Sequence, residues 1–297
     1  MKQPDATSGA PPPILKLSAP DRGGYWEVPV LYEDEHVLAV DKPSGLLTSP
    51  DRYDPERPNL MRLLHSHISR GVPWARDRRL GYLMNAHRLD LETSGVLLLA
   101  KSKPVLTTLA SCFGSEKPMK TYLALTREGP EEDVFTVDLK IAPHPFRPGV
   151  MHTNLKLGKR SRTDFQVLTR YLGFTWIECR PLTGRTHQIR VHLKAVHCPI
   201  VGDRVYEGAP LWLSELKRDY RPPRNREERP LMGRVALHAS RLSLPHPVTG
   251  EVLEVESPLP KDLRVALKYL DRYALPGALT GPFPPEADVP PDQGATE

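Results

Sequence analysis

At 297 residues, 39% hydrophobic and 26% charged, the chain is long enough to bury the core of one large domain or two lobes, and its composition excludes a disordered or fibrous protein. No apolar run approaches the roughly 20 residues that span a bilayer, and the start MKQPDATSGAPPP lacks a secretory hydrophobic segment, so a soluble, cytosolic protein is expected. The net charge is +5; the stretch from Pro276 to Glu297 contributes −4 without a single base, so the rest carries +9, which suits a polyanionic partner but dictates no fold. Cys112, Cys179 and Cys198 are odd in number and lack CxxC spacing, against both a disulfide framework and a thiolate metal site.

In chain order, residues 1–24 are rich in Pro, Gly and small polar residues and read as a flexible tail; the body runs over 25–275, and 276–297 read as an acidic, Pro-rich flexible tail. Within the body, HVLAVD (36–41), GVLLLA (95–100), TYLALT (121–126), TDFQVLT (163–169), FTWIEC (174–179) and EVLEVES (251–257) predict strands by β-branched content and alternation. NLMRLLHSHI (59–68), PVLTTLASCF (104–113), THQIRVHLKAV (186–196) and PKDLRVALKYLDRY (260–273) predict helices. Pro104 and Pro260 stand near helix starts, where a missing N–H costs least. There is no sustained βαβ alternation, no internal repeat, no GxGxxG and no P-loop. The expectation is an α+β fold with a mainly antiparallel sheet.

One stretch is chemically unusual. HRLDLETSGVLLLAKS (87–102) sets His87, Arg88 and Asp90 directly before the most apolar run in the chain. A carboxylate at the mouth of a buried strand either caps a turn, with Thr93, Ser94 and Gly95 as turn residues, or stands at the edge of a cleft where desolvation and a nearby cation make it reactive. Asp90 and Glu92, two apart, face opposite ways in an extended chain and make a poor local carboxylate pair.

Taken together, DKPSGLLTSP (41–50), HRLDLETSGVLLLAKS, KPMKTYLAL (117–125), PLTGRTHQIRVHLKAVHCPIVGDRVY (181–206), LHASRLSLPHPVTGE (237–251) and SPLPKDL (257–263) resemble the RluA-like pseudouridine synthases, in that family's order. The resemblance implies a curved, mixed but mainly antiparallel sheet with flanking helices, crossed by an RNA-binding cleft. It implies conversion of uridine to pseudouridine in structured RNA, ribosomal or transfer, without metal or organic cofactor. The partner would be that RNA, and a monomer is expected. Only about 30 residues precede LYEDEHVLAVDKPSG, too few for the S4 module that many relatives carry.

By the same resemblance Asp90 is the nucleophile, attacking at C1′ or at the base; isomerisation transfers no group to water, so one carboxylate suffices. Arg185 is the cation paired with Asp90, although by sequence it also reads as a solvated residue before a helix. Tyr122 stacks on the target uracil and assists removal of the C5 proton, against the plainer reading of a core tyrosine. Arg88 fills the space of the flipped nucleotide or is merely a surface charge. His187, His192 and His197 are five apart, which spreads them round a helix, and no HExxH occurs, so no metal site is expected. KLGKRSR (156–162) offers Lys156, Lys159, Arg160 and Arg162 to phosphates without an intervening acid. SELKRDYRPPRNREER (214–229), within an insert at about 207–233, mixes both signs and reads either as an RNA contact or as a solvated excursion. A catalytically silent RNA-binding protein on the same scaffold is the alternative, although it would be expected to have lost Asp90, Tyr122 or Arg185. A base-excising hydrolase would instead release free uracil.

Overall fold

The computed structural model describes residues 13–19, 24–51, 54–217, 219–221 and 227–276. Its strands are β1 (Ile14–Ala19), β2 (Gly24–Glu33), β3 (Val37–Lys42), β4 (Met84–Asn85), β5 (Ser94–Ala100), β6 (Met119–Arg127), β7 (Val134–Asp138), β8 (Ile141–Pro143), β9 (Met151–Thr153), β10 (Arg162–Tyr171), β11 (Phe174–Pro181), β12 (Leu237–Pro245) and β13 (Val252–Glu256). Its helices are α1 (Leu60–Ser69), α2 (Pro73–Asp77), α3 (Lys103–Gly114), α4 (Gln188–Ala195), α5 (Leu213–Leu216) and α6 (Lys261–Tyr273).

Eleven strands form one sheet, ordered β1-β2-β3-β5-β12-β6-β11-β10-β7, with β4 on β5 and β13 on β12; β8 and β9 form a separate ribbon. Every strand pairing in it is antiparallel except one at the centre, where Ser94 and Gly95 of β5 run parallel to His238 and Ala239 of β12. Gly95 adopts φ +115°, and a Cβ there would collide with the Ala239 carbonyl, so only glycine lets the strands meet. The mixed, mainly antiparallel α+β architecture is the expected one.

β5 explains its own apolar run. All seven of its residues are buried. Leu97 and Leu99 enter a core shared with β1, β3 and α1, while Val96, Leu98 and Ala100 enter a second core under α3 and β13. Period two therefore feeds both faces of a strand covered on each side. A third core lies beneath α4 and α6, against β6, β10 and β11. Asn59 starts α1 by accepting the Arg62 N–H at 2.9 Å, and Pro104 lies in the first turn of α3.

The six predicted strands and four predicted helices are all present. One boundary is overturned: residues 14–19, read as tail, are β1, paired antiparallel with β2 and carrying the fully buried Leu15 and Leu17. ILKLSA alternates as a half-buried strand should, but the prolines before it disguise that. The rest of the N-terminal tail reading, 1–12 and 20–23, and the C-terminal one beyond 276 lie outside the described residues. The insert is anchored: Leu211 and Met232 are buried and bridge each other, and Arg127 grips Glu215 of α5 at 2.7 and 3.0 Å.

Candidate active site

The loop between β4 and β5 carries Asp90 into a pocket of about 360 Å³ at the centre of the sheet. The loop is held by the segment that follows β3. Thr48 Oγ1 accepts the Leu89 N–H at 3.1 Å and donates to the Leu89 carbonyl at 3.0 Å. The Gly45 N–H reaches the Leu91 carbonyl at 2.9 Å, and Ser44 donates to the Glu92 carbonyl at 2.7 Å. Lys42, fully buried, donates to the carbonyls of Pro43, Leu46 and Leu91 at 2.8, 2.7 and 3.4 Å. Burial pulls its pKa down to about 7 while Asp90 pulls it up, and three carbonyl acceptors require the three N–H groups of an ammonium. The motif DKPSGLLTSP is thus a clamp on the Asp90 loop.

The cation facing Asp90 is Arg190 of α4. Its Nη1 lies 3.4 Å from Asp90 Oδ2, while Nε and Nη2 form a two-pronged pair with Asp203 at 2.6 and 2.8 Å. The guanidinium also lies over the Tyr206 ring, 4.9 Å from its centre. Burial disfavours its charge, but Asp203 and Asp90 more than offset this and raise its pKa. This corrects the expectation for Arg185, whose side chain makes no pair with Asp90. Arg185 Nε donates to the Arg160 carbonyl at 3.0 Å and Nη2 lies 4.0 Å from Glu116, at the rim of the same pocket. The physical reason is the helix start. His187 takes a left-handed φ of 55°, so α4 begins at Gln188, not Thr186, and the inward-facing arginine is the one inside the helix.

His187 stands near the same carboxylate oxygen. Tyr206 Oη accepts the Met151 N–H at 2.9 Å and hydrogen-bonds His187 Nδ1 at 2.8 Å. The other ring nitrogen, Nε2, lies 4.0 Å from Asp90 Oδ2, too far for a direct hydrogen bond. Burial lowers the pKa of His187, with Asp90 opposing. His192 is spent structurally: its ring nitrogens meet Thr163 Oγ1 at 3.0 Å and the Leu139 carbonyl at 3.1 Å.

Tyr122 lines the pocket from β6, opposite Ala239 of β12 and Cys179 of β11. Burial first, and then the charge of Asp90, raise its pKa, so it stands in the site as a neutral phenol. His87 stacks on Phe113 with ring centres 4.8 Å apart and accepts the Leu98 N–H at 3.1 Å; burial pushes its pKa down to about 3. Arg88 is exposed at the pocket mouth. Lys156, Lys159 and Arg160 are exposed on the segment after β9, and the bond from Arg185 to the Arg160 carbonyl puts that segment against the rim. Arg162 differs from the acid-free cluster expected: it opens β10 and pairs with Asp164 at 3.5 Å.

Sequence reasoning missed Arg190, Asp203 and Lys42 as parts of one site. An arginine between Ile189 and Val191 on the predicted helix, with an acid in the following GDRVY, was the available signal. Among the described residues no group of three or more His, Cys, Asp or Glu is placed to hold a metal, and no helix is long and apolar enough to cross a membrane.

Comparison with known proteins bears on the family and the fold. Residues 36–195 match the family described as RNA pseudouridylate synthase. The chain is 32% identical over 238 residues to ribosomal large subunit pseudouridine synthase D of Haemophilus ducreyi, covering 78% of this chain and 67% of that one. It is 36% identical over 235 residues to the protein of the same name from Xanthomonas campestris, covering 79% and 67%. Among solved structures, human RNA pseudouridylate synthase domain containing 4 superimposes with a TM-score of 0.62 at 25% identity, over 82% of this chain and 92% of the human one.

Proposed function

The chain belongs to the RNA pseudouridylate synthase family, and we propose on that footing that it isomerises uridine in large-subunit ribosomal RNA with Asp90 as nucleophile. The observation that carries the assignment is the placement of Asp90 in the pocket with the Arg190 guanidinium 3.4 Å from its Oδ2 and the His187 ring 4.0 Å from the same oxygen. Oδ1 remains to meet the nucleotide. The ribosomal target is taken from the names of the relatives above; transfer RNA is the other substrate class for a fold of this kind.

The remaining residues then have separable tasks. The ring of Tyr122 stacks on the uracil. Being a phenol, Tyr122 assists removal of the C5 proton only after losing its own. Arg88 at the mouth fills the gap left in the RNA when the nucleotide is extruded. Lys156, Lys159 and Arg160 bind phosphates beside the pocket, with Arg162 held back by Asp164. Arg185 at the rim joins that phosphate surface.

Pseudouridine mapping of total RNA with and without the gene tests the assignment. A uridine of the large-subunit RNA should lose its modification in the null strain and regain it on complementation. Identical maps would overturn the assignment, and a loss confined to transfer RNA would replace the target.

A further inference from the structure

Lys120 is a pocket cation that the reading above leaves without a task. It precedes Tyr122 by two residues in β6, so the two side chains leave the same face of the strand, and both line the pocket. The amine is half-buried, and among the described residues its one hydrogen-bond acceptor is the Thr183 carbonyl at 3.0 Å. An ammonium has three N–H groups, so two remain for whatever enters. Burial lowers its pKa to about 8, with Glu116 raising it and Arg185 lowering it, so it is still mainly the ammonium at neutral pH.

Attack at C1′, the first of the two positions that the family resemblance leaves open, creates a negative charge beside it. As an Asp90 oxygen bonds to C1′, the C1′–N1 bond breaks with its electron pair going to N1. Uracil departs as a monoanion whose charge is spread over N1, O2 and O4. The base then turns, C5 bonds to C1′ and displaces the carboxylate, the C5 proton passes to solvent, and N1 takes a proton back. Nothing is gained or lost overall. A tyrosine ring covering the face of that anion does not neutralise it, and a charge that develops on a half-buried base without a partner is costly.

We propose that Lys120 is a catalytic residue that binds the departing uracil anion at one of its carbonyl oxygens while Tyr122 covers its face. The proposal rests on the isomerase reading and goes beyond it by assigning the leaving-group site.

The test uses a stem-loop of the large-subunit ribosomal RNA spanning the uridine found by mapping, made once with uridine and once with 5-fluorouridine at the target. Fluorine makes the base more acidic, hence a better leaving group that depends less on a cation. In single-turnover reactions at saturating protein, Lys120→Met should slow cleavage of the C1′–N1 bond about a hundredfold for uridine and clearly less for 5-fluorouridine. Equal slowing of both RNAs, or none, would overturn the proposal. Both rates come from one preparation, so a partly folded variant scales them alike. Should Lys120→Met be wholly inactive, Lys120→Arg should restore most of the rate, because it keeps the charge; an equally inactive Arg variant would also overturn it. A wild-type protein that modifies neither RNA would refute the isomerase reading itself.

Discussion

Arg190 stands between two carboxylates, 3.4 Å from Asp90 Oδ2 on one side and gripping Asp203 at 2.6 and 2.8 Å on the other. Asp203 is 1% exposed at its side chain and Arg190 8%. Removing the arginine therefore does two things: it strips Asp90 of its cation and leaves Asp203 as a buried, unpaired charge. Arg190→Ala should abolish pseudouridine formation and lower stability by about 3–5 kcal/mol in denaturant titration. Arg185→Ala, at the rim, should leave stability within about 0.5 kcal/mol and retain measurable turnover. The opposite ranking would return the Asp90 pairing to Arg185.

Asp90→Asn should form no detectable pseudouridine while its affinity for RNA stays within a few-fold of wild type. The carboxylate does chemistry, whereas the basic surface supplies binding. Turnover by the Asn variant would remove Asp90 from its role.

Replacing Lys159 and Arg160 together with Ala should weaken RNA binding and make its dependence on salt shallower by about one unit for each phosphate these side chains neutralise. Turnover at saturating RNA should scarcely change. An unchanged slope, measured by titration at several salt concentrations, would make these residues ordinary solvated surface.

His238 links stability to acidity. It is fully buried, with Nδ1 3.0 Å from Ser94 Oγ and Nε2 3.2 Å from the Ser257 carbonyl, and burial lowers its pKa to about 4. An unfolded chain binds this proton near pH 6.5, so between there and about pH 4 the unfolded state holds a proton that the folded state refuses. Stability is full above that window and falls by roughly 1.4 kcal/mol per pH unit within it. His238→Gln should flatten the fall in unfolding midpoint over this range by about one proton's worth. A parallel curve would show that other groups set the acid limit.

The parts of this architecture that could be read in the sequence are those whose signal is local. GVLLLA declares a strand because both its faces are buried, and NLMRLLHSHI declares a helix because only one is. β12 escaped, since LHASRLSLP interleaves His238 and Ser240 with its apolar residues, and their hydrogen bonds to Ser257 and to the Thr121 carbonyl exist only once the sheet is built. β8 and β9, three residues each, are too short to show alternation. The same distinction runs through the site. Asp90 and Tyr122 were visible because their motifs are continuous. The choice between two arginines five residues apart depended on the left-handed backbone at His187, and the partner of the correct one lies thirteen residues further on. Lys42 carried no local signal of burial, because its three carbonyl acceptors come from two separate loops.

The insertion of β12 between β5 and β6 also orders events during synthesis. Asp90 and Tyr122 are made early, but the strands that carry them toward each other meet only through Leu237–Pro245, more than a hundred residues later. A nascent chain that has not yet produced this segment displays two raw hydrogen-bonding edges, which are sites for mispairing with other chains. Competence to modify RNA thus waits for Leu237–Pro245, and a shortened product lacking residues past 236 would leave the edges of β5 and β6 that β12 covers unpaired.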